Sequence, residues 1–180
     1  MKTKILSLLF FLFMVAFTSA QDKFITKTGH VWFYSHTAIE AIEAHSHQVV
    51  AIVIPSTGSI AVGIPIMSFE FKKTLMQEHF NENYMESAKF PKATFKGIIK
   101  NPTSINTAKN GSYKTSVEGE LTIHGVTKKI KADGVVVVKD GKFNVKSKFI
   151  VSPKEYNIAI ESRLAGNIAE NIDINVDLDF

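Results

Sequence analysis

The segment that most constrains this chain is its last one. In Ile172-Asp173-Ile174-Asn175-Val176-Asp177-Leu178-Asp179-Phe180 every even position is apolar and every odd position polar, which is the period of a β-strand with one dry and one wet face. The same alternation fills residues 112–123, where Tyr113, Val117, Leu121 and Ile123 oppose Lys114, Ser116, Glu118, Glu120 and Thr122. It recurs over residues 142–151, with Phe143, Val145, Phe149 and Val151 set against Lys142, Asn144, Lys146 and Lys148.

The connections fix how such strands pair. Asp140-Gly141 separates two alternating runs and supplies the positive φ angles of a two-residue hairpin, so its flanking strands are antiparallel neighbours. Further tight turns are expected at Pro55-Ser56-Thr57-Gly58 and at Lys109-Asn110-Gly111, and Pro65, with no N–H to donate, marks a bend. Strands are expected over 24–28, 31–35, 47–54, 59–71, 93–100, 112–123, 126–139, 142–152 and 172–180. One stretch departs from period two. Over residues 72–87, Leu75, Met76, Phe80, Tyr84 and Met85 fall at helical spacing with Glu78, Glu82 and Glu86 on the other faces, and Pro91 ends the pattern. The fold class is therefore all-β, a sandwich or an up-and-down barrel, and a single antiparallel barrel of about eight strands with one amphipathic helix is favoured because closure leaves no edge exposed. Small residues in the inward rows, Gly97, Gly119, Ala132, Gly134 and Ser147, fit either a cavity or the close approach of a bulky neighbour.

Residues 1–20 stand outside this pattern. Lys2 and Lys4 precede an apolar run from Ile5 to Phe17, and Thr18-Ser19-Ala20 offers small residues for cleavage, the layout of a secretory signal peptide. The run is shorter than the roughly 17 residues a membrane-spanning helix needs. Cleavage near Ala20 would leave 160 residues, 19 basic and 17 acidic, with a net charge of +2, expected to form one soluble domain over 21–180 in the periplasm or outside the cell. With no cysteine, disulfides, thiolate metal sites and a lipoprotein anchor are excluded, and 14 Phe against a formal charge of +4 over the whole chain exclude disorder.

At Gly119-Glu120-Leu121-Thr122-Ile123-His124-Gly125-Val126-Thr127 the sequence resembles the Leu-Thr-Ile-His-Gly-Val-Thr motif of the YceI-like family. Phe90-Pro91-Lys92-Ala93-Thr94-Phe95 is similar to the family's aromatic-Pro-x-x-x-Phe strand entry, and Gly166-Asn167-Ile168-Ala169-Glu170 to the segment before its last strand. The family's Arg-Asp-x-His-Leu helix start is reduced here to His79 followed by Phe80, and Glu155-Tyr156-Asn157-Ile158 replaces its Asp-Phe-Gly-Ile-like corner, so the resemblance is to a divergent branch. It implies a lipocalin-like barrel that binds a long isoprenoid or similar amphiphile without catalysis.

Chemistry read from the residues agrees. No Gly-x-Ser-x-Gly, His-Glu-x-x-His or phosphate loop occurs, and Glu78, Glu82 and Glu86 have the spacing of a solvated face. His45 and His47 share a strand face with only Glu43 close by, too few ligands for zinc. Neither metal nor cofactor is expected. His124 is expected to bond backbone groups at its turn, and His79 to orient the helix or touch a ligand head group. Seven lysines lie between Lys128 and Lys148, of which Lys131, Lys139, Lys142, Lys146 and Lys148 point outward by alternation. They suit transient contact with an anionic membrane surface or shield strands from aggregation, whereas one arginine and export argue against nucleic acid. A homodimer is compatible with the sequence. The expected ligand lining is Phe95, Ile99, Tyr113, Val117, Leu121, Val136, Phe143, Val145, Phe149, Ile174 and Val176, with Phe80 and Tyr84 near an entrance. The other reading is a packed barrel docking an envelope partner through its lysine face.

Overall fold

The computed structural model describes residues 23–180; the expected signal peptide lies outside them. Nine strands form: β1 Phe24–His36, β2 Ala41–Ile54, β3 Ser59–Pro65, β4 Glu70–Phe71, β5 Lys92–Ile99, β6 Gly111–Ile123, β7 Val126–Lys139, β8 Lys142–Val151 and β9 Ile172–Asp179, with one helix, α1 Thr74–His79. The sheet runs β1-β9-β8-β7-β6-β5-β3-β2, and β1 also pairs with β2, so eight strands close a barrel while two-residue β4 adds to β2. All pairings are antiparallel.

Two hairpins are closed by two-residue turns with both residues at positive φ, Asp140-Gly141 at 52° and 77° and His124-Gly125 at 50° and 76°. That is the primed-turn geometry whose twist matches the sheet. The His124 ring nitrogens lie 2.8 Å from the Glu86 carboxylate and 3.2 Å from the Tyr156 carbonyl, and the ring rests against Phe90, joining this turn to two distant loops. Gly125 is required twice over, for its φ and because a Cβ there would sit 2.6 Å from the Phe90 ring.

Several boundaries differ from the expectation, each for a physical reason. Residues 24–28 and 31–35 are one strand, because register shifts around Gly29 keep β1 in the sheet through a bulge. β2 starts at Ala41 instead of residue 47; its inward residues Ala44 and Ser46 are fully buried but too small or polar to show as apolar alternation. β3 stops at Pro65, and a 3-10 turn at Ile66–Ser68 precedes β4. There the buried Ser68 hydroxyl donates to the Pro65 carbonyl and accepts from Ser46. Lys109-Asn110-Gly111 is not a hairpin turn: Gly111 already belongs to β6, and the Asn110 side chain exchanges two hydrogen bonds with Asp140 of the next hairpin. The helix is shorter than 72–87. It passes into a π turn over Phe80–Tyr84 and ends at Glu86, φ 42°; Leu75, in its first turn, is 61% exposed.

Inside, one end of the barrel is solid. Val136, Val138, Phe143, Val145, Val53 and Ile99 are buried there, and Phe143 contacts Phe24 edge-on and stacks on Phe180 with centroids 4.6 and 4.7 Å away. In the middle, Phe95 lies across the paired Gly97 and Gly119, whose added Cβ atoms would fall 2.5 and 2.8 Å from the ring. These glycines therefore make room for a neighbour. Placing a methyl at Gly119 also brings it to 2.3 Å from the Lys96 carbonyl, so Gly119→Ala is expected to destabilise the fold by about 1–3 kcal/mol in urea unfolding. Gly63→Ala, which meets nothing within 4 Å, should shift stability by less than about 1 kcal/mol.

Candidate functional site

The other end of the barrel is hollow. A cavity of about 280 Å³ lies there, close to the lower bound of small-molecule pockets, roughly 300 Å³. Its walls are the inward residues at the strand ends: Val31, Phe33 and Ser35 of β1, Ile42 of β2, Ile64 of β3, Phe71 of β4, Ala93 of β5, Leu121 and Ile123 of β6, Phe149 and Val151 of β8, and Ile172 and Ile174 of β9. Ile66 and Phe69 complete that wall between β3 and β4. The segment between β8 and β9 closes one side with Pro153, Ile158, Ile160, Leu164, Asn167 and Ile168.

The helix covers the cavity. Met76, His79, Phe80, Tyr84 and Met85 line it, and Phe80 anchors them among Phe33, Phe69 and Phe71, with ring centroids 5.6, 5.7 and 5.0 Å away. Such aromatic contacts are worth about 0.5–1.5 kcal/mol each beyond the area they bury. His79 lines the cavity and is itself exposed, so the cavity reaches the surface beside the helix.

Polar groups gather at that rim. The Glu40 carboxylate accepts from Lys73 Nζ (3.1 Å) and from Asn167 Nδ2 (3.2 Å), and these two bonds, Lys73 first, hold its carboxyl below the ordinary range. The Tyr84 phenol is pushed up by burial and then by Glu161, with Arg163 opposing. Arg163 itself donates to Glu161. Nothing in the set resembles a nucleophile with its base, and what it can do chemically is hold an apolar chain with a polar end.

Of the residues expected to line a ligand site, Phe80, Tyr84, Leu121, Phe149 and Ile174 meet at this cavity. Ile99, Val136, Phe143 and Val145 surround a small void of about 30 Å³ at the solid end. Tyr113 and Val117 stand opposite Val136 and Ile99 at that same end, and Phe95 and Val176 are partly buried against the core. Sequence parity found the inward rows but carried no signal for depth along the barrel axis. Phe69 and the 152–171 segment lie in mostly irregular backbone, where no period marks an inward side, and Phe33 stands between Trp32 and Tyr34, which hide the alternation.

A family model for the YceI-like domain matches residues 20–180. Among solved structures, the chain is similar to a polyisoprenoid binding domain from Saccharophagus degradans implicated in plant cell wall breakdown, with TM-score 0.76 and 14% identity over 87% of this chain and 96% of that one. It is also similar to BcnA of Burkholderia cenocepacia, with TM-score 0.70 and 18% identity over 84% and 96%. The Campylobacter jejuni YCEI protein aligns over 100% of this chain and 90% of its own with TM-score 0.54 and 16% identity. No curated protein matches significantly in sequence. At these identities the structural likeness speaks for the fold alone.

The outer wall carries the remaining candidates. Of the five outward lysines, Lys131, Lys146 and Lys148 are ion-paired with Glu118, Asp177 and Asp173 at 3.4, 3.0 and 3.2 Å, so acidic groups interleave much of that face. His45 and His47 of β2 meet His30 of β1 in a stack of imidazoles. His45 donates from Nε2 to Glu43 and accepts at Nδ1 from His30 (3.0 Å). The rings lie face to face instead of converging on a point, and among the described residues no three His, Asp or Glu are placed to hold a metal. Burial, then His47 and His45, hold His30 below the ordinary imidazole value of 6.5, with Asp177 opposing. The unfolded chain therefore binds this proton more readily, and stability falls as pH drops below about 6.5. The His30 Cε1–H resonance is expected to titrate below 6.5, and His30→Gln should lose less stability than the wild type between pH 7 and 5.

Proposed function

The chain belongs to the YceI-like family, and from that premise we propose that it is a carrier or sequestering protein for a long apolar amphiphile, a polyisoprenoid or a lipid of similar shape, held in the helix-covered end of the barrel. The observation that carries this reading is the cavity itself: an almost wholly apolar lining with polar side chains gathered at its rim. Binding works by transferring apolar chain from water. Each buried CH₂ contributes about 0.8 kcal/mol, so some ten ordered methylenes contribute about 8 kcal/mol, the equivalent of roughly micromolar affinity before the losses of immobilisation are subtracted. The solid end sets how deep a chain can enter, because Phe95 over Gly97 and Gly119 and the Phe24, Phe143 and Phe180 cluster occupy the rest of the bore.

The reading has no chemical step. Its residues bind and exclude water; the helix, fastened through Phe80, is the element that would move to admit a chain. Export is part of the same proposal and rests on the leader-like residues 1–20. No helix among the described residues is long and apolar enough to cross a membrane. A packed barrel docking through its lysines has less support, because three of the five lysines of that face are ion-paired and one end of the barrel is hollow.

The test is an organic extract of the protein purified without detergent from its native host and analysed by mass spectrometry. A stoichiometric lipid is expected; a clean extract from folded protein, together with no binding of added isoprenoid, would overturn the reading. Ile174 faces inward and is only half-buried, because it borders the cavity. Ile174→Trp should therefore fill the space, lower lipid affinity by at least about tenfold, and leave the circular dichroism spectrum intact.

A further inference from the structure

Exposed apolar side chains are unevenly distributed over this surface. Among the described residues the four most exposed large ones are Ile39 (70%), Met67 (69%), Ile150 (63%) and Leu75. Each is the chain neighbour of a residue that lines the cavity, Glu40, Ile66, Val151 and Met76 respectively, so all four stand at the helix-covered end. Three of them come from outside the barrel strands: Ile39 from the turn between β1 and β2, Met67 from the 3-10 turn after β3, and Leu75 from the first turn of α1. The Glu40–Lys73 ion pair fastens the first of these segments to the third. Toward the solid end, Ile25 and Ile98 are exposed only 51% and 44% and lie on the strand wall, next to Phe24 and Ile99 of the packed bore.

Apolar side chains gathered in water around one opening mark contact with another apolar phase. Which phase follows from what the cavity holds. A chain leaving a bilayer through water would wet each methylene in turn, and ten of them raise the barrier by a factor of roughly a million. Contact between the opening and the bilayer removes that barrier, because the chain then passes directly from one apolar phase to the other. Charge restricts the kind of bilayer. Residues 37–40, 66–91 and 152–171, which build this end, carry eight carboxylates against five lysine and arginine side chains. The cavity lining itself has one carboxylate, Glu40, and no lysine or arginine. An anionic surface repels such an end. It attracts instead Lys139 and Lys142 at the β7–β8 turn, beside the buried Val138 and Phe143 of the solid end, and contact there would hold the opening away from the lipid.

We propose that the helix-covered end is a docking face for a net-neutral lipid bilayer, with Ile39, Met67 and Leu75 entering the interface and the cavity opening held against it. The proposal rests on the reading of the cavity as a lipid site and adds the surface through which that site is filled.

The chain has no cysteine, so a single introduced thiol reports one position. An environment-sensitive fluorophore is attached to Leu75→Cys and, separately, to Ile98→Cys, and each labelled full chain is titrated with phosphatidylcholine vesicles. Emission from the Leu75 position is expected to shift to the blue and saturate, while that from the Ile98 position stays at its aqueous wavelength. Ile39→Glu and Met67→Glu, each combined with the Leu75 label, should raise the vesicle concentration at half-saturation at least about fivefold. Adding phosphatidylglycerol to the vesicles should raise it as well. Both substituted residues are exposed, and circular dichroism checks that the variants fold. No shift at Leu75, or equal shifts at the two positions, would overturn the docking face, and a stoichiometric lipid in the organic extract would then leave the site inside the barrel standing. Neither vesicle contact nor extracted lipid would overturn both.

Discussion

Everything in this molecule depends on one pairing, the contact of β1 with β2 along one edge while β9 lies along the other. Without it the sheet would be an open ribbon with two unpaired edges, a template for association. With it, all inward side chains are sequestered in one bore, and the question becomes how that bore is filled. The bulge around Gly29 belongs to the same constraint, because a Cβ at Gly29 would lie 2.6 Å from Leu178 of β9 and 3.2 Å from Val49 of β2. The two neighbours of β1 can approach this closely only where the side chain is absent.

Filling is uneven along the axis, and this asymmetry turns a barrel into a container. Aromatic rings crowd the end near Phe24, Phe143 and Phe180, and Phe95 spends its ring on the space that two glycines vacate. At the opposite end the side chains are no smaller, since Phe33, Phe69, Phe71 and Phe149 all line the cavity. They face the helix, whose Phe80 reaches in among Phe33, Phe69 and Phe71, and the segment following β8, which closes one side. The hollow therefore lies between the strand ends and a cover of mostly irregular backbone, and small inward residues do not make it.

That origin explains what could be seen in advance. Strands β6, β7, β8 and β9 were legible nearly residue by residue, because a solvated outer face and a buried inner one impose period two and Asp140-Gly141 announces its turn. Gly125 marks the turn at His124 as well, but a histidine at positive φ is a tertiary choice, fixed by Glu86, Tyr156 and Phe90. The site was half legible. Leu121, Phe149 and Ile174 could be placed inside by parity, but parity is blind to height, so Val136 and Phe143, equally inward, fall at the solid end. Glu40, which sets the rim's charge, gave no signal at all: it stands next to β2, and its partners Lys73 and Asn167 are 33 and 127 residues away.

The pairing His30↔Asp177 joins the first strand to the last across most of the sequence, and it has a meaning in time as well as in space. A chain emerging from the ribosome, amino end first, can zip the local hairpins β6–β7 and β7–β8 as they appear, but the ring stays open until residues 172–179 are free. Until that moment the rows destined for the interior, Val31 and Phe33 among them, have no seam to hide behind. Folding of this topology is thus governed by a late, long-range event, and the interval before it is when the nascent chain depends most on whatever shields unpaired strands in the cell.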